Sequence, residues 1–339
     1  MKTYWVTELL GDGIGTELSA SVHALAEALP VNIEFLAVDL GVENRAKIGR
    51  GIYSMAHESM KETAATLKHP TVTEHESPNA ILRRMCNFTV IHRPVTTIPW
   101  VKSNFKEEID LDIIRVATGG TYDDPGRLVG RDGAVSIRII EREPCRQAAV
   151  YAFELARKLK KSVTSASKYT IQRATDGLFE EVVKEVEVDY SDVIHKVELF
   201  DSLLAKIIMQ PKEFEVVLVL NEYGDFLSDM ACGLVGSVGI GASASYAFDE
   251  SAKVTLAMFD QAGGTAPDIA GKGIADPTGI LLAFALMLVH LGEVELSEAI
   301  KTAILQLLTQ GISTPDLGGS LTTMEFTARV TAQVGKLLA

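Results

Sequence analysis

Hydrophobic and polar positions alternate along the chain in two rhythms. Thr3–Leu10 is strand-like, the turn Gly11-Asp12-Gly13-Ile14-Gly15 breaks it, and Glu17–Leu29 follows with helical apolar spacing. Val31–Val38 predicts a second strand. Ser54–Thr66, Pro144–Leu159 and Asp176–Val186 read as helices, and the apolar run Glu215–Leu220 reads as a strand buried on both faces. The last third is mostly helical, over Asp276–Leu291, Ser297–Leu308 and Thr322–Leu338. Strands alternating with helices predict an α/β architecture with substantial parallel pairing.

Composition narrows the function classes. The 339 residues suggest two domains or one large one, and 47 % apolar with 23 % charged residues is ordinary for a globular chain. With 32 basic and 45 acidic side chains the formal charge is −13, so the basic field that phosphate-backbone binding requires is missing and no nucleic-acid partner is expected. The cysteines Cys86, Cys145 and Cys232 form no CxxC pair, which fits a reducing compartment. Gly279–Leu291, the most apolar stretch, is shorter than the ~20 residues that span a bilayer, and the N-terminus lacks a signal-peptide apolar core. The expectation is a cytoplasmic protein with no membrane partner.

Several motifs carry candidate chemistry, each with a structural reading beside it. The Gly11–Gly15 turn lacks the GxGxxG spacing of a dinucleotide site and is equally what a tight strand-to-helix turn needs. Arg83, Arg84, Arg93 and Arg115 stand beside apolar runs. Each alone fits a surface arginine, but clustered with Ser77 and Asn79 they would suit an anionic substrate. Asp225 and Asp229 are four apart after a buried strand, so a helix stacks them; they suit Mg²⁺ or Mn²⁺, or equally a helix start. The run Gly263–Gly273 has the composition of an ordered loop that could lie against a flat ligand or serve as a connection.

Taken together, these segments resemble the β-decarboxylating dehydrogenases, the family of isocitrate, isopropylmalate and homoisocitrate dehydrogenases. The likeness runs nearly end to end: GDGIGTE, SPNAILRR with IHRP, DIIRVATGGTY, SASKYTIQRATDGLF, NEYGDFLSDMACGLVGSVG, TAPDIAGKGIADP and DLGGSLTTMEF. By motif, Arg83, Arg93 and Arg115 match the arginines that hold substrate carboxylates. Ser77 and Asn79 match residues of the isocitrate-using branch. Tyr122 and Lys168 match the catalytic tyrosine and lysine, and Asp201, Asp225 and Asp229 the metal-binding aspartates. The resemblance assigns Lys68, Thr73, Gly264, Thr265, Ala266, Asp268, Ile269 and Asp276 to the cofactor. Asp268-Ile269 favours NAD over NADP, because a carboxylate accepts from ribose hydroxyls and repels a 2′-phosphate.

The cofactor side departs from the family pattern. Gly263 stands where the family has histidine, Asp276 where it has asparagine, and Val116, Ala117 and Gly119 replace polar residues. The resemblance implies the family's own two-domain α/β fold rather than a Rossmann domain. Residues 1–97 and 237–339 would form the large domain with the cofactor loop, and 98–236 the small one with the dimer interface. It also implies a homodimer with shared active sites, the lysine and first aspartate reaching the neighbour's site. The implied reaction is Mg²⁺- or Mn²⁺-dependent oxidative decarboxylation of an anionic 2-hydroxy acid with hydride transfer to NAD. Two other classes remain: a non-catalytic regulatory subunit, and decarboxylase-type chemistry without NAD.

Overall fold

A computed structural model describes residues 1–74, 77–98, 100–236 and 240–339. The first strand β1 (Thr3–Leu10) enters α1 (Gly15–Ala26) through the glycine turn, then β2 (Asn32–Asp39), α2 (Val42–Ile48), α3 (Gly51–Thr63), β3 (Ala65–Lys68), α4 (Pro78–Met85) and β4 (Val90–Thr96) follow. The middle of the chain holds β5 (Asp110–Val116), the short hairpin β6 (Arg127–Val129) and β7 (Gly133–Val135), and α5 (Arg142–Leu159). Next come β8 (Val163–Ser167), α6 (Thr175–Glu187), β9 (His195–Leu199), α7 (Phe200–Met209), β10 (Val216–Val219) and α8 (Asn221–Val235). The chain closes with β11 (Ala242–Phe248), β12 (Val254–Gln261), α9 (Thr278–His290), α10 (Val294–Thr309) and α11 (Thr323–Leu338).

Ten strands form one sheet in the order β2-β1-β3-β12-β11-β4-β5-β10-β8-β9. Parallel pairing holds at both ends, and the antiparallel pairs β12–β11, β11–β4 and β4–β5 occupy the centre. The six strands from β2 to β4 come from residues 3–96 and 242–261, and the other four from residues 110–219. Both arms of the sheet thus meet where β4 pairs with β5.

One expected helix needs correction. The helix predicted over Ser54–Thr66 stops at Thr63, because Ala64 turns left-handed at φ 59° and Ala65–Lys68 becomes β3. All four β3 residues are buried between β1 and β12. A four-residue strand buried on both faces carries no alternation, so its partners decide it. The apolar run expected to start at Asp276 forms α9 from Thr278, with Ile280, Leu281, Phe284 and Leu288 fully buried. Each such burial is worth ~1.5–3 kcal/mol, which accounts for its hydrophobicity as core. Among the described residues no helix is long and apolar enough to cross a membrane. The three cysteines are buried and free.

Candidate active site

Strand pairing and one helix bring the predicted substrate residues together. Arg93 on β4 sits opposite Ile113, and Arg115 on β5 opposite Ile91, so both side chains rise where the two arms of the sheet meet. Helix α8, entered directly from β10, crosses above them. The Arg115 fork donates to Asn221 Oδ1 at 3.0 and 2.8 Å and to the Asp225 carboxylate. Gly224 makes this approach possible, since a Cβ there would lie 2.6 Å from Arg115 Cβ. Arg93 donates to Ser228 Oγ at 2.6 Å, and its Nη1 stands 3.7 Å from Asp225 and 3.8 Å from Asp229. Tyr122 completes the group, its hydroxyl donating to Asp225 Oδ2 at 3.2 Å. Burial, then Asp225, pushes that hydroxyl's pKa up, so the phenol stays protonated.

Arg83 and Arg84 share the last turn of α4, whose start is Ser77 followed by Pro78 at the first helical position. Arg84 is exposed, whereas Arg83 turns inward. Burial, then Arg93, lowers the pKa of Arg83. Burial, then Arg83, lowers Arg115 to about 10, and it still carries a full charge at neutral pH. Among the described residues, the buried Asn79 Oδ1 and Arg93 Nε have no hydrogen-bond partner. Concentrated cations with unsatisfied donors and acceptors fit a polar anion.

A polar cavity of about 230 Å³ adjoins the arginines; Lys68, Thr73, Ser77, Asn79, Arg93 and Gly264 line it, joining three expected substrate residues to three expected cofactor residues. Lys68, fully buried, donates to the His69 carbonyl at 2.9 Å and to Thr71 Oγ1 at 3.3 Å. Burial pulls its pKa down to about 8. Asp260, its neighbour in the β12–β3 register, is pushed up by burial, with Lys68 opposing. Gln261 Oε1 on the same wall has no partner among the described residues, a further fit to a polar ligand.

The glycine turn is a brace for this cavity. Gly13 takes φ +59°, and a Cβ there would collide with the Thr265 carbonyl, which accepts from Ile14 N at 3.0 Å. Asp12 accepts from Val72 N at 2.7 Å and pairs with Arg45 at 3.4 Å, tying down the 70–73 segment. Thr265, Ala266, Asp268, Ile269 and Asp276 are not among the cavity's lining residues. Ile269 N closes a turn onto the Ala266 carbonyl at 3.1 Å, and Asp268 is exposed. Asp276 is buried: Oδ1 accepts from Thr278 N at 2.9 Å, and Oδ2 has no partner among the described residues. Burial, then Asp316, pushes its carboxyl up to about 7.

Lys168 and Asp201 form a pair elsewhere in the chain. Lys168 Nζ donates to Asp201 Oδ1 at 2.6 Å, and that contact holds Asp201 below the usual carboxylate range. The lysine is 32 % and the aspartate 65 % exposed. Among the described residues, no three histidine, cysteine or carboxylate side chains of one chain converge as a metal-holding group. Asp225 and Asp229, stacked on α8, supply the hard oxygen donors that Mg²⁺ or Mn²⁺ prefers, and Asp201 is a third such donor that one chain does not bring to them. Sequence reasoning missed Asn221 and Ser228, which aim the arginines from α8, and Asp12 as a brace; only the motif NEYGDFLSD hinted at the first two.

The profile of the isocitrate/isopropylmalate dehydrogenase family matches residues 5–334. A 3-isopropylmalate/3-methylmalate dehydrogenase of Methanocaldococcus jannaschii is 33 % identical, covering 96 % of this chain and 97 % of that protein. Subunit 2 of a mitochondrial NAD isocitrate dehydrogenase of Kluyveromyces lactis is 34 % identical over 96 % of this chain and 89 % of its own length. The crystal structure of isocitrate dehydrogenase from Methylococcus capsulatus superposes with a TM-score of 0.88 at 29 % identity, covering 98 % of this chain and 99 % of that one. Sequence, fold and length agree along the whole chain, which therefore belongs to the isocitrate/isopropylmalate dehydrogenase family.

Proposed function

We propose that this protein oxidises and decarboxylates an anionic 2-hydroxy acid, isocitrate or a close analogue, using Mg²⁺ or Mn²⁺ and passing hydride to NAD. Family membership supports a decarboxylating hydroxy-acid dehydrogenase. The observation that carries the finer reading is the meeting of Arg93, Arg115 and Tyr122 around the Asp225–Asp229 pair. Arg83, Arg93 and Arg115 hold the substrate carboxylates, and Ser77 and Asn79 contact the substrate from the mouth of α4. Lys68, Thr73 and Gly264 form the cofactor side of the cavity, with Thr265, Ala266, Asp268, Ile269 and Asp276 on the adjoining loop.

Asp225, Asp229 and Asp201 would hold the metal, which when bound lowers the pKa of a chelated hydroxyl and stabilises the charge left by loss of CO₂. Tyr122, kept protonated, gives its proton to the carbon that has lost CO₂. Lys168 takes part in removing the hydroxyl proton. Among the described residues one chain brings no third carboxylate to Asp225 and Asp229, which supports a homodimer in which Lys168 and Asp201 serve the partner's site. The hairpin β6–β7, with Leu128 81 % and Val129 58 % exposed, is an apolar arm suited to that contact. Residues 1–97 with 237–339 form the large domain and 98–236 the small dimerisation domain of this reading; positions 237–239 lie outside the described residues. The protein acts in the cytoplasm.

The test is initial-rate NADH formation with Mn²⁺ across isocitrate, homoisocitrate, isopropylmalate, 3-methylmalate, malate and tartrate, with Asp225→Asn as control. A metal-dependent rate on one acid that Asp225→Asn abolishes is expected. A folded dimer stabilised against heat by isocitrate plus Mn²⁺ but forming no NADH would overturn the NAD reading. Release of CO₂ from the corresponding 2-keto acid without NAD, the keto group taking the electron pair and Tyr122 supplying the proton, would then mark decarboxylase chemistry, and its absence a regulatory subunit.

A further inference from the structure

We infer that Arg138 is a positioning residue: one largely covered guanidinium ties the segment bearing Tyr122 to the segments bearing Lys168 and Asp201, and so sets the geometry of two active sites at once. This rests on the shared-site reading above.

Arg138 lies between β7 and α5, and its side chain is only 13 % exposed. Its Nη2 and Nε donate to Asp176 Oδ1 at 3.0 and 3.3 Å, its Nη1 donates to Glu222 Oε1, and its Cζ lies 5.1 Å over the Tyr223 ring. Each of these three partners holds a different functional segment. Asp176, fully buried at the start of α6, accepts from the backbone N–H of Lys168 at 2.7 Å and from the Tyr223 hydroxyl at 2.9 Å. Glu222 accepts from the backbone N–H of Thr121 at 3.2 Å and its hydroxyl at 3.1 Å, immediately before Tyr122. Tyr223 stacks on Phe200, centroids 4.4 Å apart at 16°, immediately before Asp201. A backbone bridge between Gly120 and Ile139 fastens the Arg138 segment itself to the Tyr122 loop.

A planar fork is suited to this place. It meets two carboxylates in fixed directions while its face lies on an aromatic ring, which a lysine ammonium cannot do. Without it Asp176 and Glu222 lose the positive charge they share and keep only neutral donors, so the two buried carboxylates move apart. Lys168 moves with the first and Thr121 with the second. In a dimer with shared sites, Tyr122 of one chain serves its own site and Lys168 of that chain serves the other, so one Arg138 governs both.

The experiment uses dimers of two differently tagged chains, purified through both tags so that only folded pairs are assayed. The Arg138→Gln homodimer is expected to lose kcat about 10- to 100-fold, as for a slightly misplaced catalytic group, with KM for the acid little changed. Arg138→Lys recovers part of that loss. A dimer of one wild-type and one Arg138→Gln chain should fall well below half of wild-type activity; retention of half or more overturns the inference. The pairing of Tyr122→Phe with Lys168→Met checks the underlying reading separately, because shared sites leave one intact site and unshared sites leave none. Independently of turnover, acylation of Lys168 by an amine-reactive ester, followed by mass spectrometry, should change in rate several-fold in Arg138→Lys while other lysines do not. An unchanged Lys168 rate overturns the inference even in an enzyme with no identified substrate.

Discussion

Replacing Asp276 with asparagine isolates one buried carboxyl and gives a stability signal whose sign and size follow from its surroundings. In the folded protein burial and the nearby Asp316 raise its pKa from 3.8 to about 7. Among the described residues Oδ2 has no donor within hydrogen-bond distance, and the backbone and side chain of Thr278, which favour the charged form, are outweighed by burial. Between these values the folded chain keeps a proton that the unfolded chain has lost. Stability therefore falls as pH rises from about 4 to about 7, then levels off. Asparagine keeps the acceptor for Thr278 and does not titrate. Its extra N–H lacks a partner, a fixed cost of ~1–3 kcal/mol that does not vary with pH. In the difference between the two proteins every other titrating group cancels. Urea unfolding at about pH 5 and about pH 8 should then show Asp276→Asn gaining about 2–3 kcal/mol on the wild type across that interval. Parallel stability profiles would refute the reasoning and mean that Asp276 is ionised in the fold. The same profile bears on the cofactor loop, since a protonated carboxyl can donate and accept, as the family's asparagine does.

Gly224→Ala places a Cβ 2.6 Å from Arg115 Cβ, so the arginine must leave its line between Asn221 and Asp225. KM for the hydroxy acid should rise about tenfold or more, as when a charge-assisted contact is lost, with the fold intact by circular dichroism; an unchanged KM would remove Arg115 from the substrate site. Lys168→Met should eliminate turnover while isocitrate plus Mn²⁺ still raises the melting temperature. Near-normal turnover in that variant would show the lysine's role to be misassigned.

Much of the fold can be read along the chain. β1 spans Thr3–Leu10, the strand-like segment that the glycine turn ends, and α5, α6 and α11 lie where apolar spacing puts them. The capping box of Thr322 and Glu325 sets the start of α11. The central strands β3 and β11 escape that reading: both are wholly buried, β3 is only four residues long, and nothing local separates them from helix or loop. Chemistry shows the same divide. Motifs name Arg93, Arg115, Tyr122, Asp225 and Asp229, whereas no motif predicts that Asn221 aims Arg115 or that Arg138 joins Asp176 to Glu222.

From its sequence alone, this protein is an acidic α/β chain of the isocitrate/isopropylmalate dehydrogenase type, with the family's motifs in order. Periodicity within an element and the spacing of a motif are local properties, written in adjacent residues. Tertiary structure decided which of those residues meet. Arg115 reaches Asn221 across 106 positions, and Arg138 reaches Glu222 across 84. Such contacts depend on strand order and helix placement, set by burial of the whole core, and only the folded chain puts them within bonding distance.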